Sequence, residues 1–286
     1  MAQNESAKSN IEQEISEREL EIKRRIEDKL KQVKRVVLVM SGKGGVGKST
    51  VTTNLAATLA SKKQNSVGIL DSDFHGPAIP MMLGVQNMKL ESRMLEGVCP
   101  VEGPLGIKVA SLAFYIPDER IPFTLRGVLK YDVLRELLGQ VIWGELDYLL
   151  VDLPPGTSDD SLNVAFAFPK IDGAILVTIP TEVSRVPVRK CAVFCKQYKI
   201  KMLGVIENMS SLNCPHCGKE IEIFGSGGKA ERISKDEGVP FLGRIPFDPR
   251  LAICMDEGKP FVLKYPHAQA TTAFKEIAAE IISSLS

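Results

Sequence analysis

The chain has 286 residues, 44% of them apolar, and a formal net charge of +1 from 36 basic and 35 acidic side chains. That is enough for one large α/β domain or two small ones, with no global field to favour nucleic acid or a membrane surface. No apolar run approaches the roughly 20 residues of a bilayer span. The opening residues mix both charge signs without an apolar stretch, so a soluble, cytoplasmic protein bound to neither nucleic acid nor membrane is expected.

Residues 1–10 are polar. Between residues 11 and 33, Ile11, Ile15, Ile22, Ile26, Leu30 and Val33 recur near one face of a helix, with Glu, Lys and Arg filling the rest. This amphipathic helix either packs on its own domain or meets a partner. RVVLVM, residues 35–40, is short, β-branched and followed by glycines, which predicts a buried parallel strand. A glycine loop follows, then KSTVTTNLAATLAS as a helix. SVGILDSD, YLLVDLPPG, GAILVTIP, KMLGVIENMS and FLGRIP predict five further strands, with helices near 124–141, 184–198, 228–237 and 267–284. Strand–helix alternation predicts an α/β fold with a doubly wound, mostly parallel sheet. Without repeats or a break in composition, residues 35–286 are expected to form one domain, preceded by a polar tail and helix over 1–34.

The loop reads SGKGGVGKST over residues 41–50. Gly42, Gly47, Lys48 and Ser49 fit G-x-x-x-x-G-K-[ST], with a strand before and a helix after. Glycines let successive backbone N–H groups turn inward around phosphate oxygens, and the helix N-terminus adds partial positive charge. Gly42, Lys43, Gly44, Gly45, Val46, Gly47, Lys48, Ser49 and Thr50 are therefore the expected nucleotide cradle. Lys48 is placed on the β- and γ-phosphates, and the Ser49 hydroxyl on Mg²⁺. Lys43 is extra. Spacing leaves it as a solvated lysine or as a cation reaching a phosphate held by a second subunit.

Asp71 and Asp73 close the second strand and Asp152 the third, at the strand ends where open α/β sheets bind ligands. Asp152 follows an apolar run and is expected to hold Mg²⁺, directly or through water, with Asp71 a further contact to the ion or its waters. Asp73 is the candidate to orient an attacking water. PPGTSD, residues 154–159, predicts a stiffened loop that senses the terminal phosphate, and His75 a loop contact. Asn208 ends another strand on this edge, with an amide that suits a nucleobase. IPFDP, residues 245–249 and Pro246 among them, is expected to give main-chain contacts to the same base.

Six cysteines without an export signal do not suggest a disulfide framework. Cys191 and Cys195 share a helical face and read as core, while Cys99 and Cys254 are isolated. Cys214 and Cys217, in NCPHCGKE, form a C-x-x-C turn pointing two thiolates one way. Two thiolates leave a four-coordinate site half made. Two copies of the turn across a two-fold dimer supply four, which suit Zn²⁺ or a [4Fe–4S] cluster.

KGGVGKST resembles the deviant Walker A motif of the nitrogenase iron protein, MinD and ParA group of dimeric P-loop ATPases. The resemblance implies that Lys43 crosses a dimer interface, that Asp73 is the switch I aspartate, that Asn208 reads the base and that the nucleotide is ATP. SGKGGVGKST, DSDFHGPAIPMMLG, WGELDYLLVDLPPGTSDD, VIENMSSLNCPHCG, IFGSGGKAERI and LGRIPFDPRL together resemble the Mrp/ApbC family of ATP-binding iron–sulfur cluster carriers. This implies a homodimer that bridges a [4Fe–4S] cluster through Cys214 and Cys217, hydrolyses ATP slowly, takes the cluster from an upstream donor and passes it to apo-proteins. Residues 1–35 lack the N-terminal cysteine motif of some relatives. A MinD- or ParA-like positioning ATPase is the alternative, as is a zinc staple at the dimer interface. The mixed charge of TTAFKEIAAEIISSLS reads as a core helix instead of a basic membrane helix, and a positioning role leaves the C-x-x-C unexplained.

Overall fold

Along the first strand Val36, Leu38 and Met40 join one buried cluster, while Val37 and Val39 join another. Period-two alternation with both faces apolar makes a strand covered on both sides. The computed structural model describes residues 17–62, 65–74, 76–94, 96–115, 127–156, 159–214, 216–224 and 228–286.

Helix α1 occupies residues 17–30 and leads into β1 (Val33–Ser41), the glycine loop and α2 (Lys48–Ala60). The chain continues through β2 (Val67–Asp71), the short α3 (Ile79–Met82), β3 (Glu91–Arg93), β4 (Gly97–Cys99), β5 (Val101–Glu102) and β6 (Lys108–Ser111). Then come α4 (Gly127–Gln140), β7 (Leu146–Asp152), α5 (Asp159–Ala167), β8 (Gly173–Thr178), α6 (Arg185–Gln197) and β9 (Met202–Asn208). A hairpin of β10 (Leu212–Asn213) and β11 (Glu220–Ile221) precedes α7 (Lys229–Asp236) and β12 (Phe241–Ile245). Helices α8 (Arg250–Asp256), α9 (Phe261–Lys264) and α10 (Gln269–Leu285) follow.

Among the described residues eight strands form one sheet in the order β12-β9-β8-β1-β7-β2-β6-β5. Every neighbouring pair is parallel except β5 with β6, so one short antiparallel strand closes an otherwise parallel sheet. The doubly wound expectation holds, and all six predicted strands are present. β5, β6 and the two small hairpins were not anticipated. The four residues of β6, KVAS, are too few and too mixed to show a period. Predicted helix bounds moved by one to three residues, as helix ends do. The start of the helix expected near 124 lies outside the described residues, as do Ile11 and Ile15.

Helix α1 packs on its own domain. Ile22, Ile26 and Leu30 belong to the same buried cluster as Leu134, Leu137 and Leu138 of α4. A methyl group on Gly139 would sit 3.5 Å from Arg25 Cβ and 3.7 Å from Ile26 Cγ1, so the two helices touch closely. Ile26 is 2% exposed. Ile26→Ala is expected to cost about 2–5 kcal/mol, read as a lower urea midpoint at unchanged slope. An unmoved midpoint would mean that α1 lies off the fold in solution. Among the described residues no helix is long and apolar enough to cross a membrane.

Strand β1 has β7 on one side and β8 on the other. From β1 the chain builds outward through β2 and β6, returns to β7, then crosses to β8 and builds the other way. This reversal of strand order opens a crevice at the carboxyl ends of β1 and β8, the place where open α/β sheets take ligands.

Candidate nucleotide and thiolate sites

The glycine loop rises from the buried end of β1, and its conformation demands glycine at two points. Gly47 has φ 80°, in the left-handed region, and a methyl group there would lie 2.3 Å from Asn208 Nδ2. A methyl group on Gly42 would lie 2.1 Å from Cβ of Pro187 on α6. Gly44 and Gly45 are exposed, Val46 is buried beneath them, and Thr50 is half-buried in the first turn of α2.

Asp152, at the end of β7, is fully buried and draws three polar side chains of α2 together. Its Oδ2 receives Lys48 Nζ at 2.6 Å and Ser49 Oγ at 2.6 Å, and its Oδ1 receives Thr52 Oγ1 at 2.6 Å. Ser72 fixes the backbone of the same residue, donating Oγ to the Asp152 carbonyl at 2.7 Å. Ser49 Oγ and Asp152 Oδ2 are hard oxygen donors already within 2.6 Å of each other, a set that fits Mg²⁺ with waters completing its shell. Thr52 and Ser72 were not singled out from the sequence. Thr52 stands four residues after Lys48, on the same face of α2, and that spacing was the available signal.

Asp71 lies beside this group, parallel in register with Asp152. Burial first, then the Asp152 carboxylate, push its pKa up to about 8. The N–H groups of Asp73 and Ile79 donate to it at 3.2 Å each, and Ser111 Oγ lies 3.4 Å away. A carboxyl that holds its proton at neutral pH suits a contact through water better than direct ligation. Asp73 is half-buried at the mouth and accepts the Gly76 N–H at 3.2 Å. His75 lies outside the described residues.

The loop after β7 leans on the glycine loop. Gly156 N–H donates to the Ser41 carbonyl at 2.8 Å, and Ser161 Oγ, on α5, donates to the Pro154 and Gly156 carbonyls at 3.1 and 3.0 Å. Pro155 Cβ lies 4.0 Å from where a Gly44 methyl would be. Thr157 and Ser158 of this loop lie outside the described residues. Lys43 is half-buried on the outer rim and makes no hydrogen bond or ion pair with a described residue.

Asn208 is 4% exposed and donates Nδ2 to the Val46 carbonyl at 2.8 Å. Its amide nitrogen thus braces the phosphate loop. Pro246 is half-buried just past β12. Next to Asn208, Glu207 is fully buried and caps α7, accepting the Ala230 N–H at 2.9 Å. Neither the brace nor the cap has a spacing signature.

Six residues past Asn208 is the cysteine turn. Cys214 N–H donates to the Lys219 carbonyl at 2.8 Å, and Gly218 N–H donates back to the Cys214 carbonyl at 2.9 Å. Gly218 takes φ 70°, and Leu212–Ile221 and Asn213–Glu220 pair below. Backbone N–H groups of Cys217 and then His216, with the Cys217 side chain after them, donate toward the Cys214 sulfur and hold its pKa below the ordinary thiol range. Cys214 is half-buried and Cys217 exposed. Among the described residues no third His, Cys, Asp or Glu joins them in a metal-binding group. Cys191 and Cys195 are core as expected, each pushed up to about 12 by burial.

A glycine loop between a buried strand and a helix, with a lysine, a serine and a strand-end aspartate in contact behind it, defines a P-loop NTPase. The chain belongs to the ParA family described as NUBPL iron-transfer P-loop NTPase, whose model matches residues 32–282. It is 45% identical over 258 residues to the iron-sulfur cluster carrier protein of Saccharolobus solfataricus, covering 90% of this chain and 86% of that one. The iron-sulfur cluster carrier protein of Methanocaldococcus jannaschii is 44% identical over 261 residues, covering 91% and 88%. Among solved structures, the nucleotide-binding protein in complex with ADP from Archaeoglobus fulgidus superposes with TM-score 0.73 at 41% identity, covering 83% of this chain and 92% of that one. The cell division ATPase MinD of Pyrococcus furiosus shares the fold, with TM-score 0.61 at 23% identity over 88% of this chain and 99% of that one.

Proposed function

We propose that the chain is a cytoplasmic ATP-binding carrier that holds a [4Fe–4S] cluster as cargo between two copies of itself and passes it to apo-proteins. One observation carries this: a turn with two thiols and no third ligand among the described residues, on the strand connection that braces a phosphate loop. Two thiolates are half of a four-thiolate site, and a second copy related by two-fold symmetry supplies the other half. The names of the relatives favour an iron–sulfur cargo over zinc.

Residues 42–50 cradle the ATP phosphates, with Lys48 on the β- and γ-phosphates. Ser49 and Asp152 hold Mg²⁺, with Asp71 acting through water; the bound ion would neutralise charge on the phosphate oxygens. Taking up nucleotide requires Lys48 to leave Asp152 Oδ2. Asp73 orients the attacking water, Asn208 and Pro246 face the base, and Lys43 reaches the phosphates of the partner copy. Hydrolysis is slow, as in switch NTPases that await a partner, and frees the loop after β7. A donor protein loads the cluster, and an apo iron–sulfur protein receives it. Residues 35–286 form the ATPase domain, with the preceding segment as an appendage.

Metal and sulfide analysis of protein purified without oxygen tests this. About four iron and four acid-labile sulfide per two chains are expected. Stoichiometric zinc without sulfide, or a chain that stays monomeric with and without nucleotide, overturns it.

A further inference from the structure

Residues 208–214 join the phosphate loop to the cysteine turn, and each of them but Met209 is anchored by a hydrogen bond or strand pairing. Asn208 Nδ2 donates to the Val46 carbonyl at 2.8 Å. Ser210 N–H donates to the Ile245 carbonyl at 3.0 Å, and the Ser211 carbonyl accepts the Phe247 N–H at 2.6 Å. Leu212 and Asn213 pair with Ile221 and Glu220, and Asn213 Nδ2 also donates to Gln269 Oε1, at the start of α10, at 2.7 Å. Cys214 closes the turn through Lys219 and Gly218.

Met209 is the exception. Its φ is 55°, in the left-handed region that L side chains seldom adopt. Its Cε lies 3.4 Å from where a Gly47 methyl would be. The strap therefore bears on the glycine loop through two consecutive residues, Asn208 and Met209. It then changes direction at a backbone conformation that its neighbours must hold in place. Six residues span at most roughly 20 Å, so the two sites are linked by a short, tied piece of chain with a single turning point.

We propose that the strap 208–214 transmits the nucleotide state of the phosphate loop to the cysteine turn, with Met209 as the positioning residue that fixes its direction. This rests on the nucleotide and thiolate roles given above and names the route by which they communicate. When Lys48 leaves Asp152 for a phosphate, the glycine loop shifts under Asn208 and Met209, and the turn holding Cys214 shifts with them. Glycine at 209 adopts the left-handed conformation freely but also leaves it freely, so Met209→Gly slackens the strap without clashing. Asparagine tolerates the same conformation and holds it better.

The test reads the rate of Cys214 alkylation by iodoacetamide in the full, cluster-free chain, resolved by mass spectrometry, with and without MgATP. Nucleotide affinity is measured in parallel by calorimetry. In the unaltered chain MgATP is expected to change the Cys214 rate by about fivefold or more. Met209→Gly is expected to keep nucleotide affinity and to lose most of that change, while Met209→Asn keeps both. A chain that binds MgATP but shows one Cys214 rate in both states overturns the strap alone. So does a Met209→Gly variant that retains the full response. A chain that binds no nucleotide overturns the underlying nucleotide role as well.

Discussion

Lys48→Ala is expected to lower ATP turnover by at least about 10²–10³-fold, because on the proposed role it removes the one cation, among the described residues, that is buried and set to meet charge on the transferring phosphoryl group. The ligand-free protein adds a second readout. Lys48 is 6% exposed and its Nζ lies 2.6 Å from Oδ2 of the fully buried Asp152. Deleting the cation leaves that carboxylate with only the Ser49 and Thr52 hydroxyls, at a cost of about 3–5 kcal/mol. Lys48→Ala should therefore be inactive and also melt earlier without ligand. Lys43→Ala is the contrast. Lys43 pairs with no described residue, so its loss should leave melting unchanged while turnover falls. Turnover at the unaltered rate in Lys43→Ala would remove the case for a lysine acting on the partner copy.

Cys214→Ser combined with Cys217→Ser is expected to abolish iron and sulfide binding while leaving ATP affinity within about twofold. Both thiols sit in the loop of a hairpin with two-residue strands, Cys217 exposed and Cys214 half-buried, so swapping sulfur for oxygen should change stability by no more than about 0.5 kcal/mol. Cys191→Ser with Cys195→Ser gives the opposite pattern. These thiols are buried in α6 against Met40, with Cys195 Sγ 3.9 Å from its sulfur. Hydroxyls there would destabilise the core yet leave cluster content intact. A double Cys214, Cys217 variant that still took up a full cluster would falsify the thiolate assignment.

The parts of this molecule that follow from periodicity and spacing are legible in the sequence. RVVLVM is apolar on both faces, and β1 is central with both faces buried. Ile22, Ile26 and Leu30 recur at helical spacing, and all three are in the core. The glycine loop and the two-cysteine turn are short, local patterns; the loop lies between the expected strand and helix, and the turn lies inside a small hairpin that was not expected. What escaped depends on residues far apart in sequence. Thr52 matters because β7 ends beside the start of α2, and Ser72 because β2 pairs with β7, so that Asp152 meets both. The raised pKa of Asp71 comes from burial and from a neighbour 81 positions along, and neither can be read from the run ILDSD. Asn208 looked like a group facing a base, and its first observable duty is to hold the Val46 carbonyl. Strands as short as KVAS or LN carry too few residues for a period to show.

Gly42 has no room for a side chain because Pro187 stands against it. A proline ring stands directly against bare backbone there, so the front end of α6 touches the loop one residue before Lys43. The seating of α6 against the loop thus hinges on one missing methyl group, and Gly42→Ala would have to prise the two apart.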